Sequence, residues 1–120
     1  MQEPDRIGLS TEALGYLKEM LESLGDDLNY RDLFRLAVAL ELKNEAHDVT
    51  TSYISDGWKD RTNELDPDKS LYFAVEAFGL CSESQPVYKC IEALGENGIR
   101  KLYDAYQKNM GVVPWNKILA

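Results

Sequence analysis

The stretch "NYRDLFRLAVALELKN" (residues 29–44) decides the fold, because it carries the strongest helical pattern in the chain. Asn29 is a favourable N-cap residue, and Asp32 follows three positions later. From Leu33 to Leu42, apolar side chains cover most of the circumference of the predicted helix. A helix that is apolar nearly all round lies at the centre of a bundle or at an interface. This helix therefore needs cover from the chain's own helices or from another protein.

Four further segments show helical spacing together with helix start and stop signals. Ser10 is a good N-cap for the first helix, and Asp66 followed by Pro67 starts the third. Gly95 and Gly98 are predicted to separate a fourth helix from a fifth. The five predicted helices cover residues 10–25, 29–44, 66–80, 86–94 and 97–111.

The whole chain of 120 residues is predicted to form a single all-α domain, a compact bundle of about five helices. Residues 44–65 lack long periodicity and are expected to be an irregular connection, with "VTTSYI" as a short extended piece. The apolar end "VVPWNKILA" (residues 112–120) is expected to dock on this chain or on a partner. The start of the chain has no apolar signal segment, and no run is long enough to span a membrane, so we expect a cytoplasmic protein.

The composition disfavours a broad nucleic-acid-binding face. The net charge is −8, from 13 basic and 21 acidic residues, and such a surface repels phosphates and favours basic protein partners. Arg100 and Lys101 in the less acidic C-terminal half are the candidates for any weak nucleic-acid contact there. Tyr103 and Tyr106 follow them and could stack on bases, but a role in the core is the favoured interpretation.

No motif predicts catalysis or a cofactor. His47 is the one histidine, and it precedes Asp48, but no nucleophile is placed near it in a recognised motif. We therefore expect a non-enzymatic protein without a cofactor. A small enzyme that uses His47 with nearby carboxylates is a further alternative.

Metal sites are also disfavoured. Asp56, Asp60 and Glu64 are spaced by four residues and would share one face of a helix, where they could bind a divalent cation. A solvated acidic face is the favoured interpretation. Cys81 and Cys90 lack the spacing of a zinc site and are expected to be reduced thiols.

An alternative function follows from the order of the first elements. Ile7 and Leu9 alternate as in a strand, and two helices follow, which is the order of a ribbon-helix-helix protein. In that fold a dimer forms a two-stranded ribbon that reads DNA. The predicted strand offers Arg6 and Ser10 as contacts. This alternative requires a dimer.

Three stretches resemble small accessory proteins of bacterial DNA phosphorothioation (Dnd) systems. They are "YRDLFRLAVALELKN" (residues 30–44), "ENGIRKLYDAY" (residues 96–106) and the opening "IGLSTEALGYLKEML" (residues 7–21). Asn97 and Gly98 stand where that family has two glycines. The resemblance implies an accessory role in DNA modification or anti-phage defence, and it implies no catalytic residues.

The favoured function is therefore a non-enzymatic adaptor subunit of such a defence complex, acting by protein–protein contact. Buried aromatic residues dominate interfaces. The predicted partner-binding residues are Phe34, Leu42, Trp58 and Trp115. The sequence leaves a homodimer open.

Overall fold

The predicted all-α class is confirmed. The structure is a computed structural model that describes residues 2–24, 28–43, 56–79 and 85–114. Within these residues, helices account for most of the chain, and two short strands form one antiparallel ribbon. The elements in order are β1 (Arg6–Leu9), α1 (Thr11–Leu24), α2 (Tyr30–Lys43), β2 (Trp58–Arg61), α3 (Thr62–Leu65), α4 (Ser70–Phe78) and α5 (Val87–Lys108). No described helix has the length and apolar character needed to cross a membrane.

The predicted starts of the first two helices are confirmed by their side-chain hydrogen bonds. The Ser10 hydroxyl accepts the N–H of Ala13 at 3.1 Å, as an N-cap does. At the start of α2, Asp32 donates its N–H to Asn29 Oδ1 at 2.8 Å, and its carboxylate accepts the N–H of Asn29 at 3.3 Å. This reciprocal pair satisfies two N–H groups that a helix start leaves without a partner.

The apolar surface of α2 is covered mainly by α5, which packs along it more extensively than α1 or α4 do. The buried residues of α2 are Leu33, Phe34, Ala37, Val38, Leu40, Glu41 and Leu42. Apart from Glu41, they join side chains from every other described element except β2 in one continuous core, and α3 contributes Leu65. Trp58 of β2 packs against this core while partly buried. The chain's own helices therefore supply the cover that the sequence of α2 demands.

The predicted break at Gly95 and Gly98 is wrong, because α5 runs unbroken from Val87 to Lys108. Both glycines face α2. A Cβ at Gly98 would lie 2.5 Å from the carbonyl oxygen of Ala37, and a Cβ at Gly95 would collide with the ring of Phe34. The glycines thus let two helices approach closely, and the packing gained along this seam outweighs the helix-forming propensity that glycine lacks.

The predicted irregular connection is ordered over its second half. Trp58–Arg61 forms β2, and Thr62–Leu65 forms α3, whereas residues 44–55, which include "VTTSYI", lie outside the described part. β2 pairs with β1 in an antiparallel register that places Ile7 opposite Asp60 and Leu9 opposite Trp58. Ile7 and Leu9 are fully buried. The pairing partner lies about fifty residues away in sequence, and the local pattern of residues 44–65 did not reveal it.

α4 begins later than its sequence signals predict, at Ser70 instead of Pro67. Asp66 nevertheless caps the helix. Its two carboxylate oxygens accept the N–H groups of Leu71 and Tyr72, each at 3.0 Å. The carboxylate of Asp66 is buried and also accepts the hydroxyl of Tyr88 at 3.0 Å, which joins the start of α4 to the start of α5.

Cys90 departs from the expected reduced state, since it is buried and disulfide-bonded. Cys81 lies outside the described residues, as do His47 and Trp115. Of the predicted docking tail, residues 112–114 are described, and Val113 is buried against the core.

Candidate interaction surfaces

Two buried glutamates of α5 hold the edge of β1 that faces away from β2. Glu92 accepts the N–H of Gly8 at 2.8 Å. Glu96 accepts the N–H of Ser10 at 3.0 Å and its hydroxyl at 2.7 Å. These carboxylates take the positions that a third strand would otherwise fill, so both edges of β1 are occupied within the chain.

The occupied edges of β1 bear directly on the ribbon-helix-helix alternative. In that fold the strand pairs with the same strand of a second subunit. Here β1 pairs with β2 of its own chain, and Glu92 and Glu96 cover its other edge. The intermolecular ribbon which that alternative requires therefore has no free strand edge on β1.

The C-terminal candidates for nucleic-acid contact, Arg100 and Lys101, are committed to carboxylates of the protein itself. The guanidinium of Arg100 lies 2.7 Å from Glu96 and 2.6 Å from Glu12, so it ties α5 to α1. Lys101 Nζ lies 2.9 Å from the buried carboxylate of Glu41 on α2. Removing either cation would leave a buried carboxylate without its ion-pair partner, which is costly. Their positions indicate structural roles.

The tyrosines near these cations also serve the fold. Tyr106 is buried, as the favoured interpretation of the sequence has it. Tyr103 is partly buried and stacks on Tyr16 of α1, with ring centroids 4.0 Å apart and planes 10° from parallel. Base stacking would require Tyr103 to leave this contact.

The three acidic residues spaced by four do not gather into one site. Asp56 accepts the hydroxyl of Thr11 at 3.0 Å and its N–H at 3.2 Å, and these hydrogen bonds lower the pKa of the Asp56 carboxyl below its ordinary value. Asp60 and Glu64 instead contact Arg31 of α2, at 2.7 and 3.3 Å. No group of acidic, histidine or cysteine side chains among the described residues could hold a metal ion.

Two of the four predicted partner-binding residues, Phe34 and Leu42, lie in the core. Phe34 has 0% of its surface exposed, and Leu42 is buried as well. Trp58 is partly buried and contacts the ring of Phe34, with centroids 5.6 Å apart. Phe34 and Leu42 therefore stabilise this chain and present no surface to a partner, while Trp115 is not among the described residues.

A shallow groove lies beside Trp58, where α1, α2 and β2 meet. Its volume is about 410 Å³, and it is lined by Leu21, Leu28, Asn29, Tyr30, Arg31, Trp58 and Asp60. The polar side chains in it are already engaged, because Arg31 binds Asp60 through two nitrogens. The groove offers a planar aromatic wall, but no unpaired charge that would select a ligand.

The largest exposed apolar side chains with helical placement are on α4. Phe73 is 58% exposed on the side of α4 opposite the buried Leu71 and Val75, and Phe78, five residues later and about 140° round the helix, is 57% exposed where the helix ends. Apolar residues occur on every side of this short helix, so the sequence pattern does not show which of them are exposed. Only the burial seen in the structure shows which apolar residues of α4 contact the core.

The outward face of the ribbon carries three cations that form no ion pair with any described carboxylate. Successive strand residues point to opposite sides, so Arg6, Lys59 and Arg61 lie on the side away from the core, and all three are exposed. Arg6 stands directly opposite Arg61. The ion pairs formed by the described residues involve other cations. The sequence alone indicated only Arg6 of these three, because the pairing of β2 brings Lys59 and Arg61 beside it.

No family model, curated protein or solved structure matches this chain. The functional interpretation therefore depends on the two exposed surfaces: the aromatic face of α4 and the cationic face of the ribbon.

Proposed function

We propose that this protein is a non-enzymatic adaptor that binds another protein through the exposed face of α4. The observation that carries the proposal is the exposure of Phe73 and Phe78, each more than half open to water. In its sequence the chain also resembles accessory proteins of DNA phosphorothioation systems. That resemblance supports a place in a cytoplasmic DNA-modification or anti-phage complex.

The exposed area of the two rings sets the free energy that a partner would contribute by covering them. A phenylalanine buries roughly 200 Å² when fully covered, so each of these two rings leaves on the order of 100 Å² in water. At about 25 cal/mol per Å², covering both rings contributes about 5 kcal/mol before the cost of association is subtracted. Two aromatic anchors of this size are typical of the few residues that dominate an interface.

The charges around α4 define the chemistry of the partner. Asp68 and Glu76 are exposed beside the aromatic face, while Lys69 lies over the ring of Tyr72 with Nζ 5.3 Å from its centroid. The chain as a whole carries a net charge of −8. The partner that fits is a protein surface with an apolar pocket for each of the two rings and a basic rim. Complementary charges of this kind mainly raise the association rate.

The test begins with affinity purification of the tagged protein from its host, with nuclease treatment, to identify a stoichiometric partner. Binding is then measured with both purified proteins by titration calorimetry. The double substitution Phe73→Ser with Phe78→Ser is compared with Val112→Ser, an exposed valine (59%) away from α4. We expect the α4 variant to weaken binding at least about 100-fold, because two anchor residues are lost, and the control to stay within about twofold.

Circular dichroism excludes a folding defect, because both phenylalanines are exposed and their replacement should leave the melting temperature nearly unchanged. Unaltered affinity of the α4 variant would overturn the assignment of this surface. A protein that purifies alone, or whose companions disappear with nuclease, would overturn the adaptor function itself.

A further inference from the structure

We propose that the outward face of the β1–β2 ribbon binds the phosphate backbone of nucleic acid without reading its sequence. The residues that carry it are Arg6, Lys59 and Arg61. This surface is separate from the aromatic face of α4, so the inference holds or fails independently of the proposed adaptor function.

The register of the ribbon places like charges where they weaken the sheet. Arg6 and Arg61 are direct cross-strand neighbours, and Lys59 stands opposite Gly8, two residues along β1. Like charges directly opposite each other on one face of a sheet are destabilising. The chain holds 21 acidic residues, yet no described carboxylate forms an ion pair with any of these three cations. An external anion would relieve the repulsion.

The ribbon presents these cations from a fixed platform. Its inward side buries Ile7 and Leu9 in the core, and Arg31 of α2 holds Asp60 through two hydrogen bonds of 2.7 and 3.2 Å. The outer edge of β1 is held by the carboxylates of α5 described above. Because the backbone is already fixed, binding an anion orders side chains only, which lowers its entropic cost.

A concavity of about 400 Å³ adjoins the paired arginines, with Asp5, Arg6, Arg61, Thr62 and Asn63 around it. Its volume is enough for a phosphate group, and the Asn63 side chain adds hydrogen-bond donors. Asp5 is the one anion at its rim and opposes binding, but it is a single charge against three cations on this face.

The spacing of the three cations favours a ligand with several phosphates in a row over a single phosphate ion. Two residues of an antiparallel strand rise about 6.8 Å, which separates the level of Arg6 and Arg61 from that of Lys59. Phosphates that lie two nucleotides apart along one strand of duplex DNA are separated by the same axial distance, about 6.8 Å. The net negative charge of the rest of the chain would turn this face toward the nucleic acid.

The test is fluorescence anisotropy of a labelled 30-base-pair duplex titrated with the full chain between about 20 and 150 mM salt. Three phosphate contacts predict a slope of log K against log salt near −2.7, from 0.9 × 3. The triple variant Arg6→Gln, Lys59→Gln, Arg61→Gln should lose at least about tenfold in affinity at the lowest salt.

The matched control removes three cations elsewhere, by Lys18→Gln, Lys69→Gln and Lys108→Gln. It carries the same net charge as the ribbon variant, and we expect its affinity within about threefold of the original. Equal losses in both variants would overturn the proposal, because binding would then follow the total charge. Absence of duplex binding by the unaltered chain at 20 mM salt would overturn it as well.

Two further measurements separate charge from folding and identify the source of the phosphate. The variant Arg6→Lys with Arg61→Lys keeps the charges and should keep the affinity, while the melting temperature of the ribbon variant should be equal or higher, since repulsion is relieved. Tighter binding to vesicles containing phosphatidylserine, or to heparin, than to the duplex at equal salt would reject nucleic acid as the ligand.

Discussion

Replacing Gly98 by alanine should destabilise the fold, whereas replacing Gly15 by alanine should stabilise it. Both glycines lie inside helices, so each substitution gains the helix propensity of alanine, about 1 kcal/mol. A Cβ at Gly15 would meet nothing within 4 Å. A Cβ at Gly98 would lie 2.5 Å from the backbone oxygen of Ala37 and 2.8 Å from its Cβ. The two variants therefore differ in packing against α2 and in little else.

The magnitude follows from how far α2 and α5 must separate. Ordinary contact begins at 3.4 Å, so the new Cβ at Gly98 forces a local displacement of 0.9 Å (3.4 − 2.5) against a backbone atom that cannot rotate away. Overpacking of a core costs about 1–3 kcal/mol of stability. Because the neighbour of the new Cβ is a backbone atom, we expect a cost of about 2–3 kcal/mol. After the gain in propensity, Gly98→Ala should lose about 1–2 kcal/mol. That corresponds to a fall of about 4–8 °C in melting temperature, against a rise of about 4 °C for Gly15→Ala.

The assay is thermal unfolding followed by circular dichroism, at one pH and one protein concentration for all variants. A second comparison checks that the loss comes from the seam between the helices: Gly95→Ala and Phe34→Leu are made singly and together. Because the new Cβ at Gly95 would collide with the ring of Phe34, the double variant should be more stable than the sum of the two single effects predicts, by about 0.5 kcal/mol or more. Additive effects, or a Gly98→Ala variant that is as stabilised as Gly15→Ala, would refute the close packing of α5 on α2.

Two further predictions concern pH. Hydrogen bonds from Thr11 lower the pKa of Asp56, so this carboxylate stabilises the fold above its ordinary pKa of 3.8, and the stabilisation is lost as the pH falls through the lowered value. Asp56→Asn should therefore lower the melting temperature at pH 6, and the difference should shrink as the pH falls below 3.8; a difference that is constant with pH would contradict this. Burial, and then the hydrogen bond to Asp66, raise the pKa of Tyr88, so its neutral form stabilises the fold below pH 10, and the stabilisation is lost as the pH rises through the raised value. Tyr88→Phe should cost about 1 kcal/mol in denaturant titrations at pH 7 and reduce the loss of stability above pH 10, and an unchanged alkaline profile would contradict this.

Local signals in the sequence predicted the features that depend on a few neighbouring residues. Ser10 and Asn29 start helices as predicted, because a cap hydrogen bond is formed within three residues of its donor. The helix break predicted at Gly95 and Gly98 is absent. Glycine lowers helix stability locally, but the packing against α2 that compensates for it involves residues distant in sequence. The propensity of a segment cannot reveal which residues face a partner helix that lies more than fifty positions away.

The roles of two candidate site residues could not be read from the sequence for a related reason. Arg100 and Phe34 have the residue types expected at interfaces, but their roles depend on what the fold places against them: Glu96 and Glu12 for the cation, and the core for the ring. The sequence did not reveal the cationic face of the ribbon, because Arg6 lies on β1, whereas Lys59 and Arg61 lie on β2, more than fifty residues later. A surface assembled by strand pairing can be found only once the register is known.

The arrangement of α5 explains why function is to be sought at the periphery. One side of this helix uses two glycines to approach α2, another uses Glu92 and Glu96 to hold β1, and Arg100 binds α1. Removing a charged group that pairs with a buried partner costs much stability, and such a group has little capacity left to bind a ligand. Two groups of described side chains are not engaged by α5 in this way, and their placement lowers stability. They are the opposed arginines on the ribbon and the exposed phenylalanines on α4. A feature that weakens the isolated chain and is not compensated inside it is the natural candidate for contact with another molecule.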